Sequence, residues 1–287
     1  MRDILFTTLV LSLAALPVSV RAAPVPIVNP GFEADFADDG TFPTGSVTGW
    51  PAHDPLGLLD QPGNYTGVLN PSGTSFFNGD DAPEGRNAAL LFLEGTIGQG
   101  PIGLRQTLNA VLEPSTTYTL TVGVGNIASG IGLPPFDAFG FYDLDGFPGY
   151  TIQLLAGGEI LAEDADTLQI PEGEFATSTV VFDVGPDHPR LGEPLEIRLI
   201  NLNLEDTPGN PGIEVDFDDV RLDAAPAPGA CNAADLAEPF GVLDLNDIGS
   251  FVSGFVAADQ ISDLDGNGLF DLSDINLFIS AFLAGCP

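Results

Sequence analysis

The chain of 287 residues carries a net charge of −34, with 41 acidic residues against seven arginines and no lysine. Such a charge repels phosphate backbones and anionic lipid headgroups, which excludes nucleic-acid and membrane-surface binding and favours Ca2+ and neutral partners. Two Cys, two His and one Met leave little for haem, iron–sulfur or most transition-metal chemistry, while 35 Gly and 25 Pro suit short strands and turns.

Met1-Arg2-Asp3 leads into the apolar run Ile4–Val20, broken by Pro17 and followed by Arg21-Ala22-Ala23-Pro24. A cationic start, a short apolar stretch and small residues describe a secretory signal peptide over residues 1–22, cleaved after Ala22. Residues 23–223 then alternate with period two. Tyr118, Leu120, Val122 and Val124 share one face of a strand, and Leu195, Ile197 and Leu199 share one face of another. Gly157-Gly158 splits Tyr150–Ala162 into a hairpin, and further strands are expected near 26–34, 64–70, 87–94, 103–110, 175–184 and 213–223. About ten short strands without helical periodicity predict a mainly β fold, an antiparallel jelly-roll β-sandwich.

Ala224-Ala-Pro-Ala-Pro-Gly-Ala230 has no apolar face and reads as a linker. After it, residues 231–287 change period: Ile248, Phe251, Val252 and Phe255 fall at helical spacing, as do Ile275, Phe278, Ile279, Phe282 and Leu283. Asp244–Phe255 matches Asp271–Phe282 at an offset of 27, an internal duplication. Ahead of the second helix, Asp263, Asp265, Asn267, Leu269, Asp271 and Asp274 stand at loop positions 1, 3, 5, 7, 9 and 12 with Gly268 at 6, the oxygen-ligand spacing that Ca2+ demands. In the first repeat Asp235, Glu238, Asp244 and Asp247 offer oxygens. That loop is one residue longer, with Pro239-Phe240 where Asn267 stands; it holds calcium or is closed by Phe240 packing. Cys231 and Cys286 bracket the module, and in an exported chain with two Cys a disulfide is the default.

The duplicated loop–helix pair, with Asp at position 12, resembles a type I dockerin. The resemblance implies a small α-helical domain and a cohesin-like or other cell-surface partner. In that family the partner is met by positions carried here by Leu245 and Asn246 in the first repeat and by Leu272 and Ser273 in the second.

In the large module, Asn29-Pro-Gly-Phe32-Glu33, Gly49-Trp50 and Phe217-Asp-Asp-Val220-Arg-Leu222 resemble galactose-binding-like and carbohydrate-binding jelly rolls. This likeness implies a structural calcium shared by Glu33 and Asp219, with Asp218 as the alternate. Parity supports a β-bulge at Asp218-Asp219, since Ile213, Val215 and Phe217 oppose Val220 and Leu222. A glycan ligand would need aromatic side chains, and Tyr65, Tyr142 and Tyr150 are the candidates, beside a Gly/Pro-rich loop bearing Phe136, Phe139, Phe141 and Phe147. Glu214-Val-Asp216-Phe-Asp218 resembles the Glu-x-Asp-x-Glu strand of one retaining glucanase family, but the final Glu is Asp218 and the motif sits on the module's last strand. The favoured expectation is therefore an exported, non-catalytic binding protein serving polysaccharide utilisation. A structural cell-surface protein anchored by its tail, and a polysaccharide hydrolase, are the alternatives.

Overall fold

The computed structural model describes residues 22–79, 82–94, 98–114, 116–185, 188–204, 213–226, 229, 231–265 and 268–286. Residues 1–21 of the expected leader, Ala227, Pro228 and Ala230 of the expected linker and Asn267 lie outside them, and residues 224–226, read as linker, instead continue the last strand because they pair with residues 116–118. The fold is mainly β, as expected, with two helices at the C-terminal end.

Two antiparallel sheets face each other. The strands in chain order are β1 (Ala23–Pro24), β2 (Ala52–His53), β3 (Tyr65–Leu69), β4 (Ala88–Phe92), β5 (Ile102–Val111), β6 (Thr116–Asn126), β7 (Gly130–Ile131), β8 (Phe141–Tyr142), β9 (Tyr150–Ala156), β10 (Glu159–Ala165), β11 (Glu174–Val184), β12 (Pro194–Asn201) and β13 (Glu214–Pro226). The first sheet runs β11-β6-β13-β4-β3, with β1 on β13; the second runs β10-β9-β12-β5-β2; β7 and β8 form a separate hairpin. Alternation does what it should in the sandwich interior. Leu120, Val122 and Val124 of β6 and Val215 and Phe217 of β13 pack against Ile152, Leu154, Leu195, Ile197 and Leu199 of the second sheet. Trp50 belongs to this core, its indole donating to the Asn29 carbonyl at 3.0 Å.

The expected strand over 26–34 is absent. Asn29 and Phe32 take left-handed backbone angles (φ 51° and 59°), so the Asn-Pro-Gly sequence turns the chain instead of extending it. The bulge is where parity puts it: the β13–β6 register shifts between Asp218 and Arg221, and Asp219 has φ 49°. The Gly/Pro-rich insertion is not a plain loop but carries the β7–β8 hairpin and a short 3-10 helix, Phe136–Phe139.

The helices α1 (Leu245–Ala257) and α2 (Leu272–Ala284) begin alike. Asp244 and Asp271 are N-caps, each reciprocated by the third helical residue, Asp247 or Asp274. Phe251 and Phe278, equivalent in the duplication, stack at 4.2 Å in the module's small core, and Cys231 and Cys286 are joined in a disulfide. The helical stripes are only partly buried: Val252, Ile279 and Leu283 are exposed.

Candidate active site

The first sheet is buried on both faces over β3, β4 and the start of β13, and the second burial makes the site. β4, Ala-Ala-Leu-Leu-Phe, has no polar alternation because Ala89 and Leu91 enter the sandwich while Leu90 and Phe92 enter a second apolar layer on the outer face. Leu69, Phe76, Phe77, Ile127 and Leu144 complete that layer, contributed largely by the segments around 76 and 127–144 that cross over the sheet.

Into this apolar layer β13 projects two carboxyls. Glu214 and Asp216 alternate with core residues Val215 and Phe217, so both face outward from the sandwich. Cross-strand pairing sets their neighbours. Tyr65, Phe92 and Glu214 form one row across β3, β4 and β13; Gly67, Leu90, Asp216, Gly125 and Phe175 form the next. Gly125 has to be small, since a Cβ there would lie 2.6 Å from the Phe175 ring and 3.1 Å from the Asp216 Cβ. Asp216 is thus wholly buried (0% exposed) next to Phe175, which stacks on Phe77 at 4.4 Å.

Glu214 alone of the pair reaches a cavity. It lines a chamber of about 20 Å3 walled by Phe42, Tyr65, Leu69, Phe76, Leu90, Phe92, Ile127, Tyr142 and Leu144. Burial, then the charge of Asp216 and the hydrogen bond with it, holds the Glu214 carboxyl well above the usual carboxylate range. Burial also raises Asp216 well above its ordinary value, with the Glu214 hydrogen bond acting in the opposite sense. Neither Asp216 oxygen receives an N–H or hydroxyl, which leaves the neighbouring Glu214 carboxyl as the polar group that acts on it. Tyr65, stacked on Phe92 at 4.8 Å, has its hydroxyl pushed far above the ordinary phenol value by burial and then by Glu214. The arrangement is a buried carboxyl whose raised pKa favours the acid form, set in an aromatic chamber, with the chemistry to donate a proton and to hold a cation against ring faces.

Residues 23–223 match the model of the HpiC1-like family, described as HpiC1 cyclase. The chain belongs to the HpiC1-like cyclase family. Among solved structures it resembles the Stig cyclase Fisc from Fischerella sp. TAU, crystallised with (3Z)-3-(1-methyl-2-pyrrolidinylidene)-3H-indole, at 42% identity and a TM-score of 0.62, over 72% of this chain and 99% of that one. A cyclase from the same organism in complex with 4-(1H-indol-3-yl)butan-2-one is 42% identical with a TM-score of 0.62, over 71% of this chain and 98% of that one. An apo-form cyclase from Fischerella sp. is 41% identical with a TM-score of 0.60, over 71% and 97%. No curated protein sequence matches.

Membership of a cyclase family overturns the non-catalytic, carbohydrate-binding expectation. The cohesin-type partner falls with it, because two of the structures this chain resembles were crystallised with small indole compounds. The physical reason for the error is topological. β13 is last in sequence but central in its sheet, flanked by β6 and β4, so the acidic strand set aside for its late position lies under the chamber.

The other expected residues are placed as follows. Tyr65 and Tyr142 both line the chamber. Tyr150 does not: it is fully buried (0% exposed) on β9 of the other sheet, its hydroxyl donating to Asp164 at 2.6 Å. Glu33 accepts from the backbone N–H groups of Arg86 and Asn87, while Asp218 accepts from Glu84 N–H, so both grip one segment between them. The Asp218 Oδ1 and Asn87 Oδ1 atoms are buried without partners, and burial raises the Asp218 carboxyl to about 8. Asp219, expected with Glu33 as a ligand, pairs with Arg221 at 2.7 Å.

In the tail, carboxylate oxygens of Asp263, Asp265 and Asp274 lie within 4.8 Å of one another. Asp263 accepts from Gly268 N–H and Asp274 from Leu264 N–H, closing the loop; Asp271 caps α2, and Leu269 is exposed. The first loop closes in the same manner despite its insertion, Asp235 accepting from Gly241 N–H and Asp247 from Leu236 and Ala237 N–H, with Asp235 Oδ1 buried and unpartnered. Glu238 is exposed and Asp244 caps α1. Leu245 and Leu272 are 81% and 73% exposed, and Asn246 and Ser273 donate backbone N–H groups to the caps Asp244 and Asp271. What the structure shows in this segment is a pair of loop–helix units; the dockerin likeness has no support among the comparisons.

Proposed function

We propose that this chain is a cyclase that closes a ring on an indole-bearing small molecule by acid catalysis, with Glu214 as proton donor and Asp216 as the group that holds the proton on it. The observation that carries this reading is the buried Glu214 carboxyl, its pKa pushed up by burial, in a chamber walled otherwise by aromatic and aliphatic side chains. A proton passed from Glu214 to an unsaturated carbon of a neutral substrate leaves a carbocation. The faces of Tyr65, Phe42, Phe76, Phe92 and Tyr142 stabilise that cation, and the mainly apolar walls limit the water that could quench it. Attack by a second π-bond of the same molecule forms the new ring, and loss of a proton back to the Glu214–Asp216 pair restores the acid. The product is an isomer of the substrate, so no co-reactant is needed. Incubation of the enzyme with indoles bearing an unsaturated side chain should give a product of unchanged mass and one more ring; recovery of unreacted substrate throughout such a series would overturn the reading.

Calcium fits two places. Asp218 Oδ1 and Asn87 Oδ1, with Glu33 beside them, supply buried oxygens that lack protein partners, and Asp263, Asp265 and Asp274 supply converging carboxylates in the tail. At the first place Asp218 and Asn87, beside Glu33, would hold the ion, which would supply neutralisation of the buried carboxyl charge. Export remains the sequence reading, and cleavage after Ala22 places the mature enzyme outside the cytoplasm.

A further inference from the structure

The chamber around Glu214 has room for about one water molecule, far less than an indole ring system requires. Directly outside it lies a cleft of about 490 Å3 lined by Phe42, Pro43, Thr44, Tyr65, Phe136, Phe139 and Tyr142. Three residues belong to both spaces: Phe42, Tyr65 and Tyr142. Whatever reaches Glu214 from this cleft has to pass between them.

Two of the three are anchored. Tyr65 belongs to β3 and stacks on Phe92. Phe42 sits on a segment bonded along the β3 edge, with Val68 N–H donating to the Pro43 carbonyl, Asn70 N–H to Thr41 and Gly45 N–H to Thr66. Tyr142 is held differently. It lies on the two-residue ladder β7–β8, its ring meets Phe42 and Phe76 edge-on at 5.9 and 6.1 Å, and its hydroxyl donates one long bond, 3.5 Å, to the Phe136 carbonyl. So short a ladder is marginal by itself. The hairpin also has a break and a fixed base. Gly140 adopts φ 88° and ψ −148°, a conformation open only to glycine, and nothing lies within 4 Å of where its Cβ would be. The base is pinned where Ser129 accepts from Leu144 N–H and donates to Asp145, and where Ala128 N–H donates to the Phe76 carbonyl.

We propose that Tyr142 is the movable partition between the cleft and the Glu214 chamber, and that swinging of the 130–142 hairpin away from Phe42 admits substrates that are flat enough to pass. This inference rests on the chamber being the reaction site, and it assigns the specificity of entry to Tyr142 and Phe42 rather than to the acid pair.

Thiol labelling tests it without any substrate. The chain's two cysteines are bonded to each other, so an introduced thiol reports alone. Leu69→Cys and Ile127→Cys each place a thiol on the chamber wall, and Thr44→Cys places one in the outer cleft. Monobromobimane, a flat bicyclic reagent, should label either chamber thiol roughly tenfold or more faster when Tyr142→Ala is added, because local opening then no longer limits access. Tyr142→Phe should stay slow, since it keeps the ring, and Thr44→Cys should label at one rate in all three backgrounds. Equal chamber rates with Tyr142 and Ala at this position would overturn the proposal, as would equal acceleration at Thr44→Cys, which would mean general loosening. Loss of the role given to Glu214 would leave these rates untouched, so the two ideas fail separately.

Discussion

Gly125→Ala introduces one methyl beside the acid pair without touching either carboxyl. The new Cβ would stand 2.6 Å from Phe175 Cε1, 2.8 Å from its Cζ and 3.1 Å from the Asp216 Cβ. The Phe175 ring can yield only by sliding on Phe77, with which it is stacked, so the strain is shared with Asp216. Overpacking of this kind costs about 1–3 kcal/mol, which lowers the melting temperature by roughly 2–4 °C per kcal/mol for a domain of this size. Displacing Asp216 misaligns the proton held on Glu214, and errors of about an ångström at a reacting group cost up to ~10²-fold in rate. Gly158→Ala is the matched control. It sits in the β9–β10 turn at φ 83° with open space around it, so it costs a comparable ~1–2 kcal/mol in backbone strain alone. Turnover of an indole substrate, measured below both melting transitions, should fall by one to two orders of magnitude in the first variant and stay at the wild-type rate in the second. Full activity in Gly125→Ala, or an equal loss in Gly158→Ala, would refute the coupling of this packing to the acid.

Turnover should fall as pH rises through the raised pKa of the Glu214–Asp216 pair, and Asp216→Asn should move that alkaline limb to lower pH by removing the charge that helps to hold the Glu214 proton; an unmoved limb would separate the two groups. The folded state here binds protons that the unfolded chain has already released, so the pair's contribution to stability is greatest at low pH and is lost as pH rises from the ordinary carboxylate range to the raised values, a trend that chemical denaturation at several pH values should show. Saturating Ca2+ should raise the melting temperature of the sandwich, by about 2.7 kcal/mol in stability at a hundredfold excess over the dissociation constant, and Asp218→Asn should abolish that response while leaving calcium binding by the Asp263 loop measurable by calorimetry. Replacing Cys231 and Cys286 by Ser opens a 55-residue separation and should destabilise the helical module by up to ~4 kcal/mol, with the sandwich transition unchanged.

The parts of the fold that follow from period were legible. Leu120, Val122 and Val124, or Leu195, Ile197 and Leu199, alternate because one face of each strand meets the opposing sheet. The Asp218 bulge followed from a parity change, and the two helices from a repeated cap and apolar stripe. What the sequence withheld is the order of strands in the sheet. From it alone, Glu214 and Asp216 lie near the end of a module; in space their strand is central and its outer face is roofed. One signal was present. Ala88–Phe92 lacks polar alternation, as a strand covered on both sides must, and Phe76-Phe77 supplies apolar bulk with no strand to use it. Such a pairing of an unalternating strand with stray aromatics marks a second core, and here that core surrounds the acid. The residues 26–34 failed for a local reason, turn chemistry at Asn29-Pro30-Gly31 outweighing the flanking apolar residues.

The central claim is that Glu214 delivers the proton, and the most direct measurement is the turnover of Glu214→Gln beside its affinity for 4-(1H-indol-3-yl)butan-2-one. Gln keeps the shape of the side chain and cannot act as the acid, so turnover should fall by about 10²–10⁴-fold while the indole compound binds within a few-fold of wild type. Wild-type turnover in Glu214→Gln would contradict the assignment.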